Sequence, residues 1–156
     1  MALSGINLPL AFNGQEAIWQ KKDLDEHFGG SAFLAWARMG NIRGWGGPLP
    51  QSWHQNQLEL QHKILARMRN FGMIPVLPGF AGHVPAAITR LGCFLKSSLL
   101  HNSVCFCTYL LDPQDPLFSH IGGMFITEMI KEFNGTNHIY NADTFNEMRP
   151  QSRYYK

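Results

Sequence analysis

Six polar residues stand at or just beyond apolar runs of the sequence: Gln15 and Glu16 after Ile6 to Phe12, His83 after Met73 to Phe80, and Asp143, Asn146 and Glu147 in and after a run opening at Ile139. If those runs are parallel strands, the polar groups project from the carboxyl ends, where alternating strand and helix barrels gather reacting groups and let loops enclose a substrate. Carboxylates placed there suit glycoside hydrolysis, in which one donates a proton to the leaving oxygen and a second attacks or stabilises the sugar cation. Asn146 beside Glu147 adds a hydrogen-bonding group for a sugar substituent. Each candidate also has an ordinary reading. Glu147 fits an exposed loop or a helix start, and Glu16, three residues after Asn13, fits a capping box. His83, between Gly82 and Val84, fits a hydrogen bond to a loop carbonyl. Trp36 and Trp45 flank a glycine-rich loop, and their rings suit a sugar face or a core equally. His54 and His62, eight residues apart, make a poor metal set with Cys93, Cys105 and Cys107, so no metal and no cofactor is expected.

The elements that must position these groups are partly explicit. Over Ser52 to Phe71, Leu58, Leu65 and Met68, with Leu60, Ile64 and Phe71, recur at helical spacings, which predicts an amphipathic helix. Ser52 and Gln55 fit a capping box at its start, and Gly72 suits a left-handed stop. Met73 to Phe80 is too short for a helix and reads as a buried strand despite Pro75 and Pro78. A second helix is expected from Asp115, with Pro116 in its first turn, Ile121, Phe125 and Met129 on one face, and an end near Asn134 and Gly135. Ile139 to Phe145 reads as the next strand. At the amino end, Ile6 to Phe12 reads as a strand and Gln15 to Lys22 as a helix opened by Asn13 and Gly14. Gly40 to Gln51 and Leu91 to Asp112 read as loops.

Strand, helix, strand, helix, strand with apolar strands predicts parallel pairing, since parallel neighbours need crossovers. The fold class is therefore α/β, with about three strands and crossover helices. Strand starts near residues 6, 73 and 138 lie about 65 apart, roughly twice the spacing in a 250-residue barrel of eight units, so long loops must fill the difference.

Composition narrows the functional classes. The chain has 156 residues, 15% of them charged and 45% hydrophobic, with a net charge of +2. That is globular material of about one domain. Charge is scattered without like-sign runs, so binding to nucleic acid or an anionic membrane is not expected. No apolar stretch reaches the roughly 20 residues of a membrane span, and Met1 to Phe12 lacks the pattern of a signal peptide. The triplet Asn134, Gly135, Thr136 is an N-glycosylation pattern, usable in the secretory route.

The run Asp143 to Met148 (DTFNEM) closely resembles the catalytic segment of the lysosomal α-N-acetylglucosaminidase family. Gly14 to Trp19 (GQEAIW), Phe33 to Asn41 (FLAWARMGN), Gly47 to Pro50, Phe71 to Pro85 (FGMIPVLPGFAGHVP) and Ile130 to Tyr140 are similar to the same family, in one order along the chain. The resemblance implies a retaining glycosidase of lysosomes that removes terminal α-linked N-acetylglucosamine from heparan sulfate, and implies that the chain is part of a (β/α)8 barrel, with about three of its strands and their crossover helices. It implies that Glu147 is the general acid/base with Asn146 its neighbour, that Trp36 and Met39 help wall the sugar pocket, and that Gln15 and Glu16 belong to a strand-end segment. An acid of this kind needs a raised pKa, a demand that an acidic compartment relaxes.

The departures carry expectations of their own. The family's nucleophilic carboxylate lies well beyond the acid/base, whereas this sequence stops nine residues after Glu147. A fragment of the catalytic domain is therefore expected, inactive alone and prone to self-association through open sheet edges. The stretch from Trp19 to Phe33 is shorter than the family pattern, and Leu91 to Phe106 and Gln151 to Lys156 diverge from it.

Overall fold

The computed structural model describes residues 2–21, 33–34, 40–41, 49–85, 88, 99–101, 109–134 and 139–142. Its elements, in chain order, are α1 (Gln15–Trp19), β1 (Phe33–Leu34), β2 (Gly40–Asn41), α2 (Gln51–Asn70), β3 (Val76–Pro78), β4 (His83–Val84), β5 (Leu99–His101), β6 (Tyr109–Leu111), α3 (Pro116–Phe133) and β7 (Ile139–Asn141).

Parallel pairing is the organising feature. β7 pairs with β3 in parallel, Val76 opposite Ile139 and Pro78 opposite Asn141. On the other side of β3 the amino-terminal segment also runs parallel, bridged at Leu10 and Val76. Its ladder is made by Ile74 N–H to Asn7 O (2.8 Å), Val76 N–H to Pro9 O (2.9 Å) and Ala11 N–H to Val76 O (2.8 Å). The expected strand at residues 6–12 is thus a short ladder centred on Leu10, followed and preceded by irregular chain.

β3 lies between two neighbours although it contains a proline and Pro75 immediately precedes it. Successive backbone groups of a strand point to alternate sides. Ile74 and Val76 therefore face the amino-terminal segment, and so does the nitrogen of Pro78. Gly79 donates to Asn141 O at 2.7 Å, so position 75 faces the β7 side. Pro78 lies beyond the last bond to the amino-terminal segment, and Pro75 lies before the pairing with β7 begins. Neither missing N–H removes a ladder bond.

Each helix forms for a local reason. α3 has Asp115 as its cap, accepting from Leu117 N–H at 2.8 Å, and Pro116 at its first position. Its stripe of Ile121, Phe125, Met129 and Phe133, spaced by four, is buried. Burying each such side chain is worth about 1.5–3 kcal/mol as an upper estimate. The helix ends at Asn134, with φ 53° and ψ 42°.

α2 ends as expected: Gly72 has φ +70°, Gly72 N–H bonds Arg69 O at 2.9 Å, and Met73 N–H bonds Met68 O at 3.0 Å. Its start corrects the reading. Pro50 occupies the cap, no side chain caps the helix, and the Pro50 carbonyl accepts from Trp53 N–H at 2.9 Å. Ser52 is already inside the helix and does not form the capping box. The inner stripe is His54, Gln61 and Leu65, all buried, with Leu58 and Met68 partly buried beside them, while Leu60 and Phe71 are exposed. Apolar type alone had put Leu60 and Phe71 on the inner face; the spacing of four and three from Leu65 puts two polar residues there instead.

The core lies where α1 and the two long helices meet the parallel strands. Trp19 of α1 stands 5.4 Å from the Phe125 ring and 6.3 Å from Phe80, centroid to centroid. A side chain at Gly122 would place its Cβ 2.9 Å from the Phe80 ring, so the missing side chain lets α3 approach this closely. On α2, Gln61 is fully buried and its amide donates to Ala11 O at 2.6 Å, tying that helix to the amino-terminal segment.

A second correction concerns the region read as a loop from Leu91 to Asp112. β5 and β6 lie within it, and with β4 they form an antiparallel sheet in the order β4, β6, β5. His83 pairs with Leu110, and Leu100 with the same residue from the other side. This sheet sits in the connection between β3 and α3. β1 and β2, within the glycine-rich stretches, form a separate antiparallel pair.

Candidate functional site

Because the three central segments are parallel, their carboxyl ends share one edge of the sheet, and the sequence candidates follow from those ends. Beyond the amino-terminal segment the chain turns at Asn13 and Gly14 into α1. Gly14 caps that helix with φ 76°, and no side chain caps it. Asn13 instead donates its amide to Gln57 Oε1 at 3.3 Å. The expected capping role of Asn13 is therefore not made. Gly14 lies within 3.3 Å, by an added Cβ, of the Gln57 carbonyl on α2, so a side chain there would meet both positive φ and backbone.

Gln15 and Glu16 open α1 at this edge and are 5% and 6% exposed, too little for ordinary surface residues. Gln15 Nε2 donates to Phe12 O at 3.5 Å. A buried carboxylate needs compensation, and Glu16 stands in a first helical turn, where the free amide hydrogens favour negative charge. From β3 the chain passes through Gly79 to Gly82 and presents His83, 7% exposed, in β4. Gly82, with φ +89°, makes that turn possible, and its carbonyl accepts from Leu111 N–H at 2.9 Å. β7 ends at Asn141, and Ala142 follows. Asp143, Asn146 and Glu147, as well as Trp36, Met39, Trp45 and the three cysteines, lie outside the described residues. The structure thus brings Gln15, Glu16 and His83 to one edge of the sheet. Asn134 lies elsewhere, at the end of α3.

The two histidines set aside as a poor metal pair have other placements. His54 is buried on α2 with its ring edge-on to Trp53 at 5.4 Å. His62 Nε2 lies 2.9 Å from Glu132 Oε1. Sequence reasoning missed this second cluster. Glu132 near the end of α3 also accepts from Lys21 Nζ at 2.7 Å, so one carboxylate joins α3, α2 and the chain after α1. Burial pushes the Glu132 carboxyl up, but hydrogen bonds and charge from Lys21 and His62 outweigh it and hold the group below the ordinary carboxylate range. Its partners lie 111 and 70 residues away, so no local pattern could have disclosed it. Tyr140 in β7 is pushed the other way, its phenol raised by burial and so neutral over the physiological range. An open cleft of about 440 Å³ beside the start of α2 is lined by Gln20, Lys21, Gln51, His54 and Gln55. It has amides, one ammonium group and an imidazole but no carboxylate, and glycoside cleavage cannot be run from it.

Comparison with known proteins agrees with this architecture. The profile of a family described as the alpha-N-acetylglucosaminidase (NAGLU) TIM-barrel domain matches residues 1–156. The human alpha-N-acetylglucosaminidase is 54% identical over 166 residues, covering 97% of this chain and 22% of the human protein. Among solved structures, a family 89 glycoside hydrolase of Clostridium perfringens superposes with a TM-score of 0.70 at 26% identity, over 94% of this chain and 18% of the bacterial one. One structure of that enzyme holds its substrate GlcNAc-alpha-1,4-galactose, and another, equally similar, holds 2-acetamido-1,2-dideoxynojirmycin. The chain spans about a fifth of the length of these relatives, 22% and 18%. With the parallel strands, the crossover helices and a match across its whole length, the chain belongs to the α-N-acetylglucosaminidase family, in its TIM-barrel domain.

Proposed function

We propose that this chain supplies the acid-bearing part of a glycosidase barrel that removes terminal α-linked N-acetylglucosamine, with heparan sulfate as substrate and the lysosome as its setting. The observation that carries this reading is the 54% identity to the human enzyme over 97% of the chain. In it, the three parallel segments are consecutive strands of a (β/α)8 barrel, residues 1–156 form part of its catalytic domain, and the antiparallel β4–β6–β5 sheet is an insertion on the substrate face.

Glu147 is the general acid/base in this reading. It protonates the glycosidic oxygen as the bond to the anomeric carbon breaks, then takes a proton from the water that releases the sugar. Asn146 offers an amide to a sugar substituent, Trp36 and Met39 wall the pocket, and Gln15 with Glu16 lines it from the end of the first strand. A retaining site holds its second carboxyl about 5–5.5 Å from the first. No residue of this chain is assigned that role, so the chain by itself is expected not to turn over.

The test replaces the matching segment of the human enzyme by residues 1–156 and follows release from a chromogenic α-N-acetylglucosaminide. Activity is expected in the graft, and Glu147→Gln should lower kcat about 10²–10⁴-fold. Azide should restore turnover and yield a glycosyl azide of the substrate's own anomeric configuration, because it attacks from the face the acid/base serves. A folded Glu147→Gln graft with unchanged kcat refutes the assignment.

A second reading, association without catalysis, is favoured by the exposed apolar residues of the outer segments, Leu10 at 55% and Ile139 at 46%. Concentration-dependent self-association of the isolated chain would support it, and a monomer at high concentration would not.

A further inference from the structure

We propose that Asn134 carries an N-linked glycan, placed at the end of the sheet remote from the substrate-binding edge. The inference rests on the secretory and lysosomal part of the proposed function, but on different residues and a different chemistry.

Asn134, Gly135 and Thr136 form the one Asn-x-Ser/Thr triplet in the sequence, with no proline at its centre. Such a triplet is common by chance, and placement decides its use. Asn134 is exposed and sits at the carboxyl cap of α3 with φ 53° and ψ 42°, a left-handed conformation that asparagine tolerates. Its N–H closes the helix on Ile130 O, and Arg69 Nη2 on α2 bonds the neighbouring Phe133 carbonyl at 3.2 Å. The backbone is held from two sides while the side chain faces solvent. Among the described residues, no side-chain hydrogen bond of Asn134 need be broken to attach a large group.

The position also leaves the candidate chemistry untouched. α3 connects β3 back to β7, so Asn134 precedes β7 and lies toward the amino ends of the parallel strands. Gln15, Glu16 and His83 stand at the carboxyl ends. One helical turn earlier, Ile130 is 36% exposed. A hydrated glycan rooted at Asn134 would shield that apolar side chain from water.

The covalent step is balanced without redox chemistry. Nδ2 of Asn134 attacks the anomeric carbon of a lipid-diphosphate-linked oligosaccharide. The new C–N bond forms as the C–O bond to the diphosphate breaks, the diphosphate leaves with that electron pair, and one amide proton passes to it.

The test expresses the full chain behind a cleavable secretion leader in animal cells and measures intact mass on the leader-cleaved population, retained or secreted. Leader cleavage shows that the chain reached the compartment where transfer occurs. A mass excess of one N-glycan is expected, removed by peptide N-glycosidase. Digestion in H₂¹⁸O should leave aspartate at position 134 bearing the heavy oxygen, which separates deglycosylation from earlier spontaneous deamidation of the Asn-Gly pair. Thr136→Ala keeps the helix cap and should abolish the excess. Leader-cleaved chain whose Asn134 is unmodified overturns the proposal. Activity of the barrel graft is read separately, so glycan without turnover refutes only the enzyme reading, and turnover without glycan refutes only this one.

Discussion

Replacing Glu132 by glutamine isolates the charge of the residue that joins α3, α2 and the chain after α1. The carboxylate meets Lys21 Nζ at 2.7 Å and His62 Nε2 at 2.9 Å. Lys21 and His62 are 37% and 48% exposed, so solvent screens both pairs. The Lys21 pair is then worth about 0.2–1 kcal/mol, and with the weakened hydrogen bond to His62 the variant should lose about 1 kcal/mol at neutral pH. In a domain of this size that is about 3 °C in Tm. The pH dependence follows from the depressed carboxyl pKa of the folded state. A group bound less tightly by protons when folded stabilises fully above its unfolded value, about 4.3 for glutamate, and loses that contribution as pH falls toward the folded value. The fastening should therefore persist at pH 5 and fade below about pH 4. Urea unfolding of the parent and Glu132→Gln chains at pH 7, 5 and 3 measures it, with Lys21→Met and the double variant closing a cycle. A difference that is the same at pH 3 and pH 7, or a cycle with no coupling at pH 7, refutes the reasoning.

Gly82→Ala should destabilise by about 2–3 kcal/mol, because φ is +89° there and the new Cβ would stand 2.9 Å from the Phe118 ring and 3.0 Å from Leu110 Cδ1; thermal unfolding reads it, and a neutral result would place the β3 to β4 turn elsewhere. Phe125→Ala should cost about 3–5 kcal/mol, since the ring is 2% exposed and stacks 5.4 Å from Trp19. Tryptophan emission should shift in the same variant, and an unchanged spectrum with unchanged Tm would contradict the packing of α1 on α3.

What was legible in the sequence had local causes. α3 could be read end to end because Asp115, Pro116 and Asn134 mark its limits and its apolar residues keep a spacing of four. Gly72 disclosed the end of α2 by the same logic, and the order of parallel strands followed from alternation alone. The inner face of α2 was less legible, because His54 and Gln61 are polar by type and buried by position. β4, β5 and β6 were missed since their short strands gain stability only from partners up to about 30 residues away, and strand preference depends on such context. Gln15, Glu16 and His83 fell where the strand ends put them. The roles of Glu147, Asn146, Trp36 and Met39 came from family resemblance, which no spacing rule could replace, and remain proposals.

The two prolines of the central segment reach beyond the bonds they omit. Ladder bonds to one neighbour run over Ile74 to Val76 and pairing with the other over Val76 to Gly79, so Val76 alone is gripped from both flanks. Sliding either neighbour two residues further along would set an acceptor against a nitrogen that has no hydrogen. The chain therefore carries its own alignment key: misthreaded arrangements are penalised before any side chain packs, and the same rings deter a stray strand from extending either ladder.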